Sequence, residues 1–250
     1  MRIFFYSVQS EWLKTKNSIA SWLCLVGGFF IPLLYLIADI KNKTFINSAG
    51  TEIWQTHFTR LWMNMSGFLL PMGLILASSL ITQVEFKNNS WKQVHVTPQK
   101  YSTIFFAKLA VLLGMTLKFF LFFNIGVIIA GTVPCLIFDH SFPKENIPWL
   151  YFIEKNARYF IACLPIIALQ YLLSLQFKNF VIAVGVGLAG LIGTFIAFRW
   201  QYIYLSPFSY TNPFAERSGF SENILLYATI YFVVFTIISF YLYVNKKIKG

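Results

Sequence analysis

The amino-acid sequence predicts an all-α integral membrane protein: six transmembrane helices, an N-terminal amphipathic helix in the membrane interface, and both termini in the cytoplasm. Three observations carry this prediction. The 250 residues are 57% hydrophobic and 12% charged, against roughly 25% charge in soluble domains. Apolar runs near the roughly 20 residues that a helix needs to cross a hydrocarbon core about 30 Å thick recur between the charges. The net charge of +11 is spread unevenly over the stretches that join those runs. The same composition excludes a disordered chain and a basic nucleic-acid module, because the few charges lie among 28 Phe, 13 Tyr and 7 Trp.

The first element precedes the first apolar run. Phe4, Phe5, Val8 and Trp12 recur near helical spacing, while Arg2, Gln9, Glu11 and Lys14 take the other side. That pattern describes a helix lying in the interface with Phe5, Val8 and Trp12 as its anchors; a frayed polar leader is the alternative. The spans follow at residues 19–38, 61–82, 103–133, 159–177, 180–198 and 224–244, as one transmembrane domain over residues 1–250. The first run exceeds the 7–15 or so residues of a signal-peptide core and no A-x-A-like site follows it, so it reads as a retained helix. The third is long enough to begin in the headgroup region.

Six spans put both ends on one side, and the distribution of Lys and Arg chooses which. With the ends inside, the inner stretches hold Arg2, Lys14, Lys16, Lys87, Lys92, Lys100, Lys178, Lys246, Lys247 and Lys249 against Glu11 and Glu85. The outer stretches hold Lys41, Lys43, Arg60, Lys144, Lys155, Arg158, Arg199 and Arg217, nearly balanced by acids. The excess charge is therefore a topology signal. Between the second and third spans, residues 83–100 mix charge, amide and apolar groups, with Thr97-Pro98 as a breaker before the next span. This stretch is either a short helix presenting polar groups to a partner or a solvated connector.

Several constellations are weighed by context. Gly185-Val186-Gly187-Leu188-Ala189-Gly190 matches GxGxxG but lies inside an apolar span, without the strand and acid that a nucleotide site needs. Gly185, Ala189 and Gly193 recur at i+4 instead and predict a smooth face for close helix packing. Lys118, Asn124 and Asn64 fall within spans. Lys118 either lines a polar cavity or anchors its helix by reaching toward the interface. Asn64, Ser66, Gln170 and Ser174 read as interhelical hydrogen bonds. His57, His95 and His140 lie in loops, no HExxH or GxSxG occurs, and Cys24, Cys135 and Cys163 show no CxxC spacing. No catalytic residue, metal site or cofactor is expected on this chain. No GxxxxGK[ST] occurs, so ATP, if used, binds another polypeptide.

The order of features is familiar. A short amphipathic leader and a first span precede Trp54 to Phe58, Leu61-Trp62 and a second span containing Pro71. Glu85-Phe86-Lys87-Asn88-Asn89-Ser90-Trp91-Lys92, Thr97-Pro98 and Ala107-Lys108 follow. In this order the chain resembles the permease subunits of type-2 ABC exporters, in their lantibiotic-protection and bacteriocin-immunity branch, over essentially its whole length. The resemblance implies an exporter subunit in a bacterial plasma membrane, moving an amphipathic or apolar cargo such as an antimicrobial peptide or drug. It implies pairing with a second permease copy or a homologous permease, and separate cytoplasmic ATPase subunits that carry ATP and Mg. It also places the ATPase-coupling contacts at Glu85, Lys87, Asn88, Trp91, Lys92, Thr97 and Pro98. A non-transporting polytopic protein acting as sensor or scaffold is the alternative.

Overall fold

The computed structural model describes residues 2–42, 53–87, 100–138, 146–177, 179–212 and 223–245, with residues 42 and 84–87 described by their backbone. Among them every regular element is helical. Helix α1 spans Arg2–Thr15 and α2 spans Ile19–Asn42. The turn between them rests on Asn17, whose φ of 64° is left-handed, a conformation that a short amide side chain tolerates. Ser18 then caps α2, its Oγ accepting the Ser21 N–H at 3.3 Å.

Helix α3 (Ile53–Asn64) buries Trp54, His57, Phe58, Leu61 and Trp62 at helical spacing. It continues through one π-helical turn, Met65–Leu69, into α4 (Leu70–Lys87). Leu70 N–H reaches back to the Met65 carbonyl, five residues away, which widens the helix by one residue. Pro71, with no N–H to give to the preceding turn, stands just after the widening. Helix α5 (Tyr101–Ile137) has 37 residues and is the hub of the bundle, in contact with α1, α2, α3, α4, α6 (Trp149–Gln176) and α8 (Ile224–Asn245). Helix α7 (Phe180–Ile196) lies against α4 and α6.

Five stretches are long and apolar enough to cross a membrane: Ile19–Lys41, Ile53–Gln83, Tyr101–Ile137, Trp149–Gln176 and Ile224–Asn245. The expected fifth span, 180–198, forms only the 17-residue α7, about 25 Å at about 1.5 Å per residue. Beyond it, residues 197–212 fold back on the bundle. Phe208 fills the place of a side chain at Gly190, where an added Cβ would stand 3.2 Å from the Phe208 Cζ. Thr194 Oγ1 lies 2.6 Å from Ser206 Oγ, and Tyr231 OH donates to the Leu205 carbonyl at 3.1 Å.

Two expected spans begin earlier than the apolar runs suggest. The second helix starts at Ile53 because polar Gln55, Thr56 and Arg60 alternate with a stripe of buried aromatics that the bundle pays to keep helical. The fourth starts at Trp149, its charges set on an exposed side where Arg158 pairs with Glu154 at 3.0 Å. At this end the rings lock: Phe58 stacks on Phe152 with centroids 4.2 Å apart, and Trp62 stacks on Tyr159 at 4.3 Å.

Candidate functional site

At the opposite end of the bundle, α1, the C-terminal part of α4, the start of α5, and the ends of α6 and α8 come together. Tyr171 OH of α6 donates to the Phe105 carbonyl of α5 at 3.1 Å. The Tyr101 and Phe105 rings meet Tyr243 of α8 at 6.3 and 5.7 Å. Helix α1 lies along α5 with one polar stripe inward: Ser7, Glu11 and Thr15 are buried, while Arg2, Gln9, Lys14 and the apolar Ile3, Phe5, Tyr6 and Leu13 are exposed. Of the residues expected on the polar side, Arg2, Gln9 and Lys14 are exposed, and Glu11 alone is drawn into the bundle.

The reason is Lys108. It is 1% exposed, and its Nζ donates to Glu11 Oε2 at 2.9 Å, while Lys14 binds the other carboxylate oxygen. A buried cation requires a paired anion, and Glu11 supplies it from a helix 97 positions earlier in the sequence. Burial pushes the Glu11 carboxyl up, but the charges and hydrogen bonds of Lys108 and Lys14 outweigh it and hold the group below its ordinary value. Of the interfacial residues, Phe5 is exposed, Val8 packs on the core, and Trp12 lies over Gly114, where an added Cβ would stand 2.8 Å from its ring. Gly114 is the recess that lets α1 approach α5 closely.

The expected coupling residues are placed in part. Glu85 and Lys87 belong to the last turns of α4, described by backbone only. Asn88, Trp91, Lys92, Thr97 and Pro98 lie outside the described residues.

Lys118, Asn124 and Asn64 each make a bond between helices. Lys118 Nζ donates to Ser21 Oγ of α2 at 2.7 Å and stands 5.7 Å from the centre of the Phe122 ring. Asn124 and Asn156 exchange reciprocal amide bonds of 3.0 and 2.9 Å, joining α5 to α6. Asn64 donates to Tyr35 OH at 2.8 Å, joining α3 to α2 on an exposed surface. The interhelical bonds expected at Gln170 and Ser174 are present: Gln170 Nε2 donates to Ser79 Oγ at 2.8 Å and to the Ala183 carbonyl at 2.9 Å, and Ser79 Oγ lies 3.2 Å from Ser174 Oγ, whereas the buried Ser66 hydroxyl makes no such bond among the described residues.

The smooth face of α7 points away from the rest of this chain. Within the chain, a Cβ at Gly185 or Gly193 meets nothing within 4 Å, and Ala189 is exposed. The close approach falls at Gly187, where an added Cβ would meet Ile75 Cγ2 at 2.9 Å and collide with Gln170. Gly187 shares its face with Ala183, Leu191 and Thr194, all buried. This second stripe also recurs at helical spacing in the sequence, but nothing in the periodicity says which stripe meets the rest of the chain.

No curated protein and no solved structure matches the chain. The family described as "ABC-2 family transporter protein" matches residues 7–197, which take in everything from the inward side of α1 to the end of α7. The chain belongs to the ABC-2 family of transporter proteins.

Proposed function

We propose that this chain is the membrane-spanning subunit of an ATP-driven exporter of the lantibiotic-protection type, moving an amphipathic or apolar cargo, such as an antimicrobial peptide or drug, outward. Family membership makes it a multi-pass subunit of an ABC transporter, not itself catalytic, for which an ABC ATPase is the usual kind of partner. ATP and Mg then belong to that separate chain. The Lys and Arg distribution supports placing the α1 end and both termini in the cytoplasm of a bacterial plasma membrane. The exposed Gly185, Ala189 and Gly193 face supports pairing with a second permease copy.

One observation carries the reading. Helix α1 is clasped to α5 by Glu11 and Lys108, about two turns beyond the segment 88–99 that joins α4 to α5. A motor docked on that segment would move α4 and α5 directly, and α1 through the clasp. The test is co-expression with the ATPase encoded beside this chain, followed by purification and assay in lipid nanodiscs. The expected result is a stable complex whose ATP hydrolysis rises with the exported peptide. A chain that purifies alone, with no neighbouring ATPase, would favour the sensor or scaffold reading.

A further inference from the structure

An apolar cavity of about 290 Å³ lies between α2, the π turn with α4, and α5. Gly27 and Phe30 line it from α2, Met65 and Leu69 from the π turn, Gly73 from α4 and Met115 from α5. The π turn helps to shape it, because Met65 and Leu69 stand at its two ends and both face the space. No charged side chain lines it, and the Thr116 hydroxyl at its wall is spent on the Leu112 carbonyl at 3.0 Å. The Cys24 thiol and the Ser78 hydroxyl are the other polar side-chain groups of the lining, and no charge stands there to hold a headgroup or a cationic side chain.

Its mouth is on the flank of α2. Val26 and Phe30 line the cavity and are 57% and 47% exposed, and the exposed flank continues through Leu33, Leu34 and Ile37. All five residues lie within the candidate span Ile19–Lys41, at depths where the surrounding medium is hydrocarbon. The cavity is thus continuous with the lipid-facing surface. An apolar void of about 150 Å³ already holds a benzene ring. Nearly twice that space fits a linear chain of roughly a dozen carbons.

We propose that this cleft is a binding site for one acyl chain of a membrane phospholipid, inserted sideways between α2 and α4 with its headgroup left outside. The chain restores the dispersion contacts that the cavity walls otherwise lack. Glycines at 27 and 73 keep the space open: an added Cβ at Gly73 finds only Leu23 Cδ2 at 3.9 Å, and one at Gly27 finds Phe119 at 3.5 Å. Larger side chains at these positions would grow into the cavity without a backbone clash.

The experiment uses the full chain in nanodiscs of phosphatidylcholine bearing a photoreactive diazirine midway along one acyl chain, with labelled peptides mapped by mass spectrometry. Labelling is expected to concentrate on residues 65–73 at least fivefold over the exposed α8 residues Val233 and Ile237. Gly73→Leu is expected to remove that excess while leaving α8 labelling and the elution profile unchanged; Gly27→Leu is the second variant should the first fail to fold. Labelling spread evenly over the exposed faces, or an excess that survives both substitutions, would overturn the proposal. So would displacement of the label by an amphipathic peptide that excess lipid does not reverse, which would assign the cleft to cargo. No ATPase is needed, so failure here leaves the exporter reading standing.

Discussion

Lys108 Nζ stands 2.9 Å from Glu11 Oε2, joining α1 to α5 across 97 positions of sequence. The pair is buried, and removing either member breaks a charged bond that little water can replace. Such a loss costs about 3–5 kcal/mol, whereas replacing both members with apolar groups of similar volume is often neutral. Glu11→Gln and Lys108→Met are therefore each expected to lower the thermal midpoint of the detergent-solubilised protein and to expose α1 to protease. Glu11→Leu with Lys108→Met should recover most of the loss. Additive losses in the double variant would show that the two residues act independently.

The same pair has a defined pH response. The Glu11 carboxyl is held below its ordinary value of 4.5, so the folded state binds fewer protons than the unfolded state between the two values. The stability it contributes is fully present above 4.5 and is lost as pH falls through the lowered value. Protection of α1 from hydrogen exchange should therefore stay flat from neutrality down to about pH 5 and fall only below the ordinary carboxylate range. In Glu11→Gln that acid step should vanish. An unchanged step would assign the acid response to another group.

Helix α7 offers a comparison of two stripes on one helix. A side chain at Gly187 meets Ile75 and Gln170, while one at Gly185 or Gly193 meets open space within the chain. Overpacking a filled site costs about 1–3 kcal/mol, so Gly187→Leu should reduce folded yield and thermal stability. Gly185→Leu and Gly193→Leu should leave the single chain stable. If the exposed stripe meets a second copy, these two substitutions should instead reduce the dimer fraction in native mass spectrometry. Equal thermal losses in all three variants would count against the assignment of faces.

These residues mark where the sequence was legible and where it was not. Helical class, the family and the approximate spans follow from apolar runs and the order of features, because bilayer thickness fixes the length of a crossing helix. Lys108 illustrates the limit. Its depth can be read from its position in a span, but its burial depends on which side of α5 faces protein and on a partner in a distant helix. In α1 the same limit applies to Glu11, whose place against Lys108 cannot be read from the amphipathic pattern, while Arg2, Gln9 and Lys14 of the same polar side are exposed. The early start of α3 was hidden because its polar residues broke the apolar run while its buried aromatics kept helical spacing.

The segment between α4 and α5 bears the last prediction. Glu85 and Lys87 stand in the closing turns of α4, Trp91 follows within the connecting residues, and α5 resumes at Tyr101. If this segment receives the ATPase, its substitution should disturb the transfer of work and spare the bundle. A docking contact worth about 1.4 kcal/mol changes a coupled rate about tenfold. Trp91→Ala and Glu85→Gln are each expected to cut cargo-stimulated ATP hydrolysis by about that factor, with membrane insertion and thermal midpoint within error of the parent. Glu11→Leu with Lys108→Met supplies the contrast: stability and the packing of α1 are retained but the charged clasp is gone, so if the clasp itself transmits movement of α5 to α1, stimulation should fall while ATPase binding persists. Parallel loss of insertion and stimulation in the Trp91 variant would make it a folding residue. Full stimulation in the α1 double variant would confine transmission to α4 and α5.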